Sequence, residues 1–218
     1  MYLTVRDVCC PEFLAMPAID PRSPRVRLFE NEQLERLTLI SPRAFAVTWG
    51  LLLPLILWAG WGTGDALTEL GLFAAGLFIW TIFEYLMHRY LFHLESEVRA
   101  IKWLVYVMHG NHHDSPNDPL RGLMPFSVSL PIAALVWGTC LALIGASGSW
   151  LFLGFILGYV IYDTVHFACH QWPMRGKLAL MLKRHHMRHH YLDHHANYAI
   201  SAIFWDRVFG TKSKSRKR

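Results

Sequence analysis

The sequence predicts an all-α integral membrane protein with four transmembrane helices arranged as two hairpins. Of its 218 residues, 53% are hydrophobic and only 17% are charged, whereas soluble domains contain about 25% charged residues. Four apolar stretches approach the roughly 20 residues that a helix needs to cross a bilayer. The short turns that join these stretches in pairs contain no Lys or Arg, as expected of turns on the outer side of a membrane.

The four predicted spans cover residues 44–61, 70–87, 124–146 and 150–167. A short glycine-rich turn joins the first two, and a tighter turn joins the last two, so each pair is predicted to form a helical hairpin. The fourth span is short and contains ionisable residues, which are costly in hydrocarbon. We therefore expect its end to emerge from the bilayer.

The distribution of charge predicts the orientation of the chain. Six of the 21 Lys and Arg residues lie in residues 1–43, four in 88–121 and eleven in 170–218. Loops rich in Lys and Arg stay cytoplasmic, so both termini and the polar segment between the hairpins are predicted to be cytoplasmic. This orientation explains the net charge of +5, and the sequence indicates no nucleic-acid partner.

The chain is predicted to have three parts. These are an N-terminal cytosolic or interfacial segment (1–43), a membrane domain (44–211) and a polybasic tail (212–218). The N-terminal segment lacks the uninterrupted apolar core of a cleavable signal peptide. The apolar composition excludes intrinsic disorder, and four cysteines are too few for a secreted disulfide scaffold.

All thirteen histidines lie between His88 and His195, in four clusters on the predicted cytoplasmic side or at its boundary. Unpaired, so many imidazoles would be costly where helices pack at a membrane, and we interpret them as metal ligands. Ten of them form the repeating patterns: His88, His93, His109, His112, His113, His166, His170, His186, His189 and His190. His185, His194 and His195 are left without an assignment, and choosing His186 over His185 rests on the H-x-x-H-H pattern.

The spacing of the ligands suggests how they meet. Residues at i, i+3 and i+4 share one helix face. The triplet at 109, 112 and 113 is therefore expected to point at one centre, and so is the triplet at 186, 189 and 190. His88 and His93 are five residues apart, so they need a distorted helix end or serve two different metals.

The number and type of ligands narrow the metal site. One ion takes at most about six ligands and usually four, so ten imidazoles predict two metal ions with open positions. Imidazole suits Zn, Cu, Fe or Ni. Glu84 and Asp163 lie close in sequence to histidines of the set and can accept hydrogen bonds that orient their rings.

The histidine motifs, HRYLFH, HGNHH, YDTVHFACH and HHMRHH, resemble those of the fatty acid hydroxylase/sterol desaturase superfamily of integral-membrane di-iron enzymes. They are most similar to those of fatty acid 2-hydroxylases. Further support comes from the strings RLFENEQLERLT and FIWTIFEYLMHRYLFH and from the pair Trp205-Asp206. The resemblance extends over residues 27–211.

The resemblance implies four transmembrane helices with a cytosolic helical cap that holds two metal ions. These ions activate O2, and carbon 2 of a fatty acyl chain is hydroxylated, whether as free fatty acid, acyl-CoA or sphingolipid. It assigns the ligand role to the ten histidines and places Tyr162 and Asp163 as a catalytic pair that faces the substrate or orients the ligands. Zinc has no redox chemistry, so iron is expected in the active enzyme, and zinc in a purified or crystallised form would be a substitute.

Electrons are expected from a separate protein. Many members of the superfamily carry a fused cytochrome b5 domain, but residues 1–43 are too few for one and the sequence has no His-Pro-Gly-Gly haem motif. A cytochrome b5-like or ferredoxin-like donor is therefore expected, besides a lipid substrate and the membrane. The protein is predicted to be a multi-pass protein of a bacterial inner membrane or of the endoplasmic reticulum, with a cytoplasmic metal site.

Two alternatives remain at this point. A sterol desaturase or a carotenoid hydroxylase of the same superfamily would use the same ligands. A metal transporter is the alternative outside enzymes, but transporter sites lie near the bilayer midplane on broken helices. The histidines here are predicted to lie at one membrane edge.

Overall fold

The computed structural model of the protein describes residues 26–213. Every regular element within this range is a helix and there is no strand, so the all-α prediction is confirmed. In chain order the α-helices of the described residues are α1 (Glu32–Leu37), α2 (Pro42–Gly60), α3 (Ala66–Leu86), α4 (Arg99–Val105), α5 (Asn111–Asp114), α6 (Phe126–Ile144), α7 (Gly148–Gln171), α8 (Lys177–Tyr191) and α9 (Trp205–Val208).

Three short turns of other helix types interrupt or extend these elements. Met87–Phe92 continues α3 as a π-helix, and Tyr106–Gly110 is a π-helical turn between α4 and α5. Gly145–Ser147 is a 3₁₀ turn between α6 and α7. Gly145 has a φ of +76°, which glycine adopts without the steric cost of a side chain, so the chain turns sharply at the end of α6.

Three segments of the described chain are long and apolar enough to cross a membrane: Pro42–Gly60, Ala66–Phe92 and Phe126–Gln171. The last is 46 residues long and consists of α6, the 3₁₀ turn and α7. The first begins with two strong start signals, since Ser41 Oγ accepts a hydrogen bond from the Ala44 N–H (3.1 Å) and Pro42 occupies the first turn.

The observed helix bounds differ from the predicted spans in both directions. α6 begins two residues later and ends two residues earlier than the predicted 124–146, whereas α7 extends beyond the predicted 150–167 at both ends. α7 continues to Gln171, past the predicted end at 167, because no proline interrupts it before Pro173. His166 and His170 consequently lie on one continuous helix. Of the predicted terminal parts, residues 1–25 and 214–218 lie outside the described range.

The described residues form two compact units. The apolar unit consists of 29–83 and 123–164, and the histidine unit of 26–28, 84–122 and 165–213. All ten histidines of the predicted ligand set belong to the histidine unit.

Close contact between α3 and α7 organises the apolar unit. A Cβ atom at Gly76 would overlap the carbonyl oxygen of Leu151, and one at Gly154 would overlap the carbonyl oxygen of Phe73. Small residues allow such close approach of membrane helices. Aromatic side chains fill the adjacent space, where the Trp80 ring lies edge-on to several others, among them Phe155 (5.1 Å) and Tyr159 (5.5 Å).

Candidate metal centre

The structure brings the ten predicted histidines together as two groups of five. Within each group the candidate ligand atoms all lie within 4.8 Å of one another. The first group is His88, His93, His109, His113 and His189, and the second is His112, His166, His170, His186 and His190. All members of the second group are buried, whereas His93 and His113 of the first are half-buried.

The π-helical turn at Met87–Phe92 explains the unusual spacing of His88 and His93. In an α-helix residues five apart point about 140° away from each other, because each residue advances about 100°. A π-helix closes its hydrogen bonds between residues five apart. It therefore returns both side chains to one face, and the rings lie 5.0 Å apart in the same group. Of the two interpretations left open by the sequence, the distorted helix end is the one observed.

The prediction that each histidine triplet points at one centre is wrong, because the structure divides each triplet between the two groups. His112 lies in the second group, apart from His109 and His113, and His189 lies in the first, apart from its two partners on α8. The pairs four residues apart stay together, at 109 and 113, at 166 and 170, and at 186 and 190. The middle residue of each triplet, at position i+3, faces the other group. Around a helix it lies about 60° from the first residue of its triplet and about 100° from the third. Each triplet thus serves both groups.

The ring nitrogens of the first group converge. The Nε2 atom of His88 lies 3.1 Å from that of His109 and 3.2 Å from that of His93. His109 Nε2 is 2.9 Å from His113 Nε2, and His93 Nε2 is 3.0 Å from His189 Nε2. Ligands about 2.1 Å from a common ion and at right angles around it are about 3.0 Å apart. The spacing therefore fits imidazoles arranged around a metal ion.

The second group contains buried polar atoms that need a partner. Among the residues that the structure describes, both ring nitrogens of His112 and both of His190 are buried without a hydrogen bond. Burying an unsatisfied polar group costs free energy. In the same group the Nε2 atoms of His170 and His186 are 2.8 Å apart. A metal ion accepting the lone pairs of these rings would satisfy atoms that the protein leaves unsatisfied.

Backbone carbonyls orient several rings. An Nδ1–H that donates to a carbonyl fixes the tautomer and leaves the Nε2 lone pair available for a metal. The three pairs are His88 with the Tyr198 carbonyl, His189 with the Ala196 carbonyl (2.8 Å) and His166 with the Gly122 carbonyl (3.1 Å).

Burial keeps these imidazoles neutral. Desolvation, reinforced by the neighbouring rings, lowers the pKa of His93 to about 4. The same two causes hold the pKa of each of the other ligand candidates outside the apolar spans well below the ordinary value: His109, His112, His113, His186, His189 and His190. At pH 7 the neutral form dominates, which is the form that binds metal ions.

Asp206 supports the segment that orients the rings. Its fully buried carboxylate accepts hydrogen bonds from the N–H groups of Tyr198 and Ala199, both at 2.9 Å, and from the Thr211 hydroxyl at 2.7 Å. His185 Nε2 also lies 2.9 Å from it. The residue that presents its carbonyl to His88 is therefore held in place by Asp206. In the sequence this aspartate stands out only as part of the pair Trp205-Asp206, and nothing near it indicates the role.

Glu84 fixes the continuation of the same segment. Its buried carboxylate accepts hydrogen bonds from the N–H groups of Ser201 (2.9 Å), Ala202 (3.0 Å) and Ile200 (3.3 Å), and from the Ser201 hydroxyl. A charged acceptor with several donors forms strong hydrogen bonds. Together with Asp206 it fixes both ends of the stretch from Tyr198 to Ala202.

Tyr162 and Asp163 belong to the apolar unit. The Asp163 carboxylate accepts hydrogen bonds from the Met124 N–H (2.9 Å) and the Tyr159 hydroxyl (3.1 Å). The Tyr162 ring lies 5.7 Å from the Trp80 ring. Asp163 is thus connected to Met124, two residues before α6 begins. Both side chains pack within the apolar unit.

The three unassigned histidines have different surroundings. His185 is buried against Asp206. The exposed ring of His194 lies edge-on to His113, with centroids 4.8 Å apart. His195 Nε2 is 3.9 Å from a Glu95 carboxylate oxygen, and both side chains are largely exposed.

Comparison with known proteins gives the family. The profile of the fatty acid hydroxylase family matches residues 73–211. Fatty acid 2-hydroxylase of Macaca fascicularis is 33% identical, over 92% of this chain and 59% of its own length. Dihydroceramide fatty acyl 2-hydroxylase FAH1 of Arabidopsis thaliana is 32% identical, over 92% of this chain and 84% of its own length. Ceramide very long chain fatty acid hydroxylase scs7 of Schizosaccharomyces pombe is 41% identical, over 64% of this chain and 42% of its own length.

A solved structure shares the fold. The structure described as "Full length scs7p (only hydroxylase domain visible)" superimposes with a TM-score of 0.78 and 30% identity, over 87% of this chain and 72% of that one. The chain spans 59% of the length of the macaque relative, and the resemblance inferred from the histidine motifs is confirmed. The chain belongs to the fatty acid hydroxylase family.

Proposed function

We propose that the protein is a membrane-bound dimetal oxygenase that hydroxylates carbon 2 of a fatty acyl chain. The observation that carries the proposal is the pair of five-histidine groups in a member of the fatty acid hydroxylase family. The relatives from macaque and Arabidopsis are named for 2-hydroxylation of fatty acids and of the acyl chain of dihydroceramide. The acyl substrate is a free fatty acid, an acyl-CoA or a sphingolipid.

The proposed ligands are the ten histidines, five to each metal ion. Their converging nitrogens, buried unsatisfied atoms and neutral rings support this role. When bound, a pair of iron ions supplies the redox chemistry that activates O2 to attack an alkyl C–H bond, which zinc does not do. The protein itself orients the rings through the carbonyls of 196 and 198 and excludes water from the second group, all of whose members are buried.

We further propose that the chain crosses the membrane four times as two hairpins, with the histidine unit as a cytosolic cap. The four long helices and the asymmetric distribution of Lys and Arg support this topology. Both termini are cytoplasmic, with residues 1–43 at the interface and 212–218 as a polybasic tail. The membrane is a bacterial inner membrane or the endoplasmic reticulum.

Tyr162 and Asp163 are proposed to form the catalytic pair, which faces the substrate or orients the metal ligands. Asp163 ties α7 to the chain entering α6 through the Met124 N–H. The next residues of α7 in the chain lead to His166, so a displaced Asp163 would displace a proposed ligand. The expected consequence of Asp163→Asn is reduced turnover with the product unchanged.

Lipid mass spectrometry of cells that express the protein and are supplied with iron tests the proposal. We expect 2-hydroxy acyl lipids with the wild type and none with His112→Ala, because both nitrogens of His112 lack a hydrogen-bond partner within residues 26–213. His195→Ala removes an exposed histidine outside both groups and serves as the matched control. Hydroxylated sterols or carotenoids in place of 2-hydroxy acyl lipids would contradict the assigned substrate, and full activity of His112→Ala would contradict the assigned site.

A further inference from the structure

A groove in the histidine unit carries a concentration of positive charge that the reaction chemistry described so far does not use. Its volume is about 220 Å³. Among the described residues no carboxylate lines it, whereas five cationic side chains do: Lys177, Arg184, Arg188, Arg207 and Lys212. Within residues 26–213 none of the five forms an ion pair. Five cations gathered without a counter-charge attract an anionic partner.

The groove lies along the helix that contributes most to the metal centre. Arg184 and Arg188 are four residues apart on α8 and share one face of it. The same helix carries three of the ten proposed ligands on its buried faces. An α-helix with its side chains is about 10–12 Å across, so a partner seated in the groove is separated from both histidine groups by little more than one helix.

The floor of the groove is connected to the ligands by hydrogen bonds. His185 lines the groove and its Nε2 atom lies 2.9 Å from the Asp206 carboxylate. Asp206 accepts the N–H of Tyr198, whose carbonyl accepts from His88 of the first group. Both covalent and hydrogen-bonded paths therefore lead from this surface to the proposed metal ligands.

The proposed reaction requires electrons from outside the chain. Its balance is R–H + O2 + 2 e⁻ + 2 H⁺ → R–OH + H2O, in which the acyl C–H carbon is oxidised, one oxygen atom enters the product and the other is reduced to water. A one-electron carrier must dock and deliver an electron twice for each turnover. Its docking surface has to lie near the metal ions and has to complement the carrier in charge.

We propose that this groove is the docking surface for an acidic one-electron carrier protein, whose carboxylates contact Arg184 and its cationic neighbours. The inference rests on the proposed function, because only a metal centre that consumes electrons needs such a partner. The competing occupant is an anionic lipid headgroup. Binding of a headgroup would require only positive charge. A carrier also requires a surface close to the proposed metal ligands, and the groove lies along α8, which carries three of them.

Binding tests the surface independently of activity. The full-length protein in nanodiscs of zwitterionic lipid is titrated with two acidic probes, a soluble cytochrome b5 haem domain and a [2Fe–2S] ferredoxin. Measurements at about 20 mM and about 200 mM salt separate screened from unscreened attraction. The variant is Arg184→Glu. The matched control is Arg99→Glu, which makes the same charge change at an exposed position of the same unit outside the groove.

We expect one of the probes to bind the wild type with an affinity that falls as salt rises. Arg184→Glu should raise its Kd by about tenfold or more at low salt, and Arg99→Glu by about twofold or less. Equal losses in the two variants, salt-independent binding, or no binding of either probe would overturn the proposal. In nanodiscs of anionic lipid, a Kd that is no higher for Arg184→Glu than for Arg99→Glu would assign the groove to headgroups and would also overturn the proposal.

Turnover separates failure of this inference from failure of the proposed function. With the bound probe as reductant, Arg184→Glu should lose most of its 2-hydroxylation, while with dithionite it should match the wild type. If neither reductant supports hydroxylation but the difference in binding persists, the proposed function fails and the docking surface stands. Equal probe-driven turnover in Arg184→Glu and the wild type would refute the surface.

Discussion

At the scale of single residues, the most informative atoms are the ring nitrogens of His112 and His190. All four are buried without a hydrogen-bond partner among the described residues. A protein that buried these atoms for packing alone would lose the free energy of their hydration without compensation. A metal ion would supply a partner for one nitrogen of each ring, and the neutral state of both rings is the state that coordination requires.

Replacement of His190 should therefore remove a metal ion selectively. We expect His190→Ala to lower the iron content from about two ions per chain to about one, because it truncates the second group and leaves the first intact. Elemental analysis of protein purified after expression with iron checks this value. His195→Ala should keep both ions, and an unchanged content in His190→Ala would contradict the grouping.

Replacement of Asp206 tests whether this residue, which is not a proposed ligand, holds the segment that orients His88. Asp206→Asn should destabilise the protein by roughly 1–3 kcal/mol, because a neutral amide cannot accept all the hydrogen bonds that the buried carboxylate accepts. It should also lower iron occupancy, since the carbonyl that orients His88 is displaced with Tyr198. Asp193→Asn changes an exposed aspartate nearby and is the control. Thermal unfolding and iron content equal to those of the control would contradict the role.

The ten histidines could be selected from the sequence because their spacing is a local property. Their division into two groups could not, because it depends on the segments of the two triplets lying between the two clusters of ligands. The role of Asp206 was hidden for a similar reason. Its partners at Tyr198 and Ala199 become neighbours only when the loop before α9 folds back on it.

At the scale of elements, the π-helical turn at Met87–Phe92 and the close packing of α3 against α7 determine what the helices can position. The extra residue of a π turn realigns His88 with His93. The five-residue spacing of these histidines could indicate only that the helix end had to be distorted, if both served one metal. The long apolar helices themselves were predictable, because apolar composition over about 20 residues determines them.

The contact between α3 and α7 predicts different outcomes for two glycines of one helix. Gly76→Leu should destabilise the protein by roughly 1–3 kcal/mol or more, because its Cβ would overlap the Leu151 carbonyl. Gly71→Leu should be tolerated, since nothing lies within 4 Å of a Cβ there. Thermal unfolding of the detergent-solubilised variants measures the difference. Equal unfolding temperatures would contradict the packing of α3 on α7.

At the scale of the whole molecule, we expect binding of the proposed metal ions to be coupled to folding. The histidine unit is built from three separate stretches of the described chain. The proposed ligands come from both of the longer stretches, 84–122 and 165–213. Binding to the folded state alone stabilises it by about 4 kcal/mol when the free metal exceeds its Kd a thousandfold. Metal ions would thus join stretches that are far apart in sequence.

Removal of the metal should consequently lower the unfolding temperature. We expect a chelator to lower it and added Fe²⁺ to restore it, with the wild type responding more strongly than His190→Ala, which retains one group. Differential scanning fluorimetry in detergent measures these shifts. A chelator that leaves the wild-type transition unchanged, in protein shown to contain iron, would contradict the coupling.

The most direct test of the central claim follows the oxygen atoms. The iron-loaded protein is given a fatty acyl substrate, a chemical reductant and ¹⁸O2, and the lipid product is analysed by mass spectrometry. A dimetal oxygenase should place one ¹⁸O atom on carbon 2 of the acyl chain. A 2-hydroxy product carrying only oxygen from water, or iron-loaded protein that forms no 2-hydroxy product, would contradict the account.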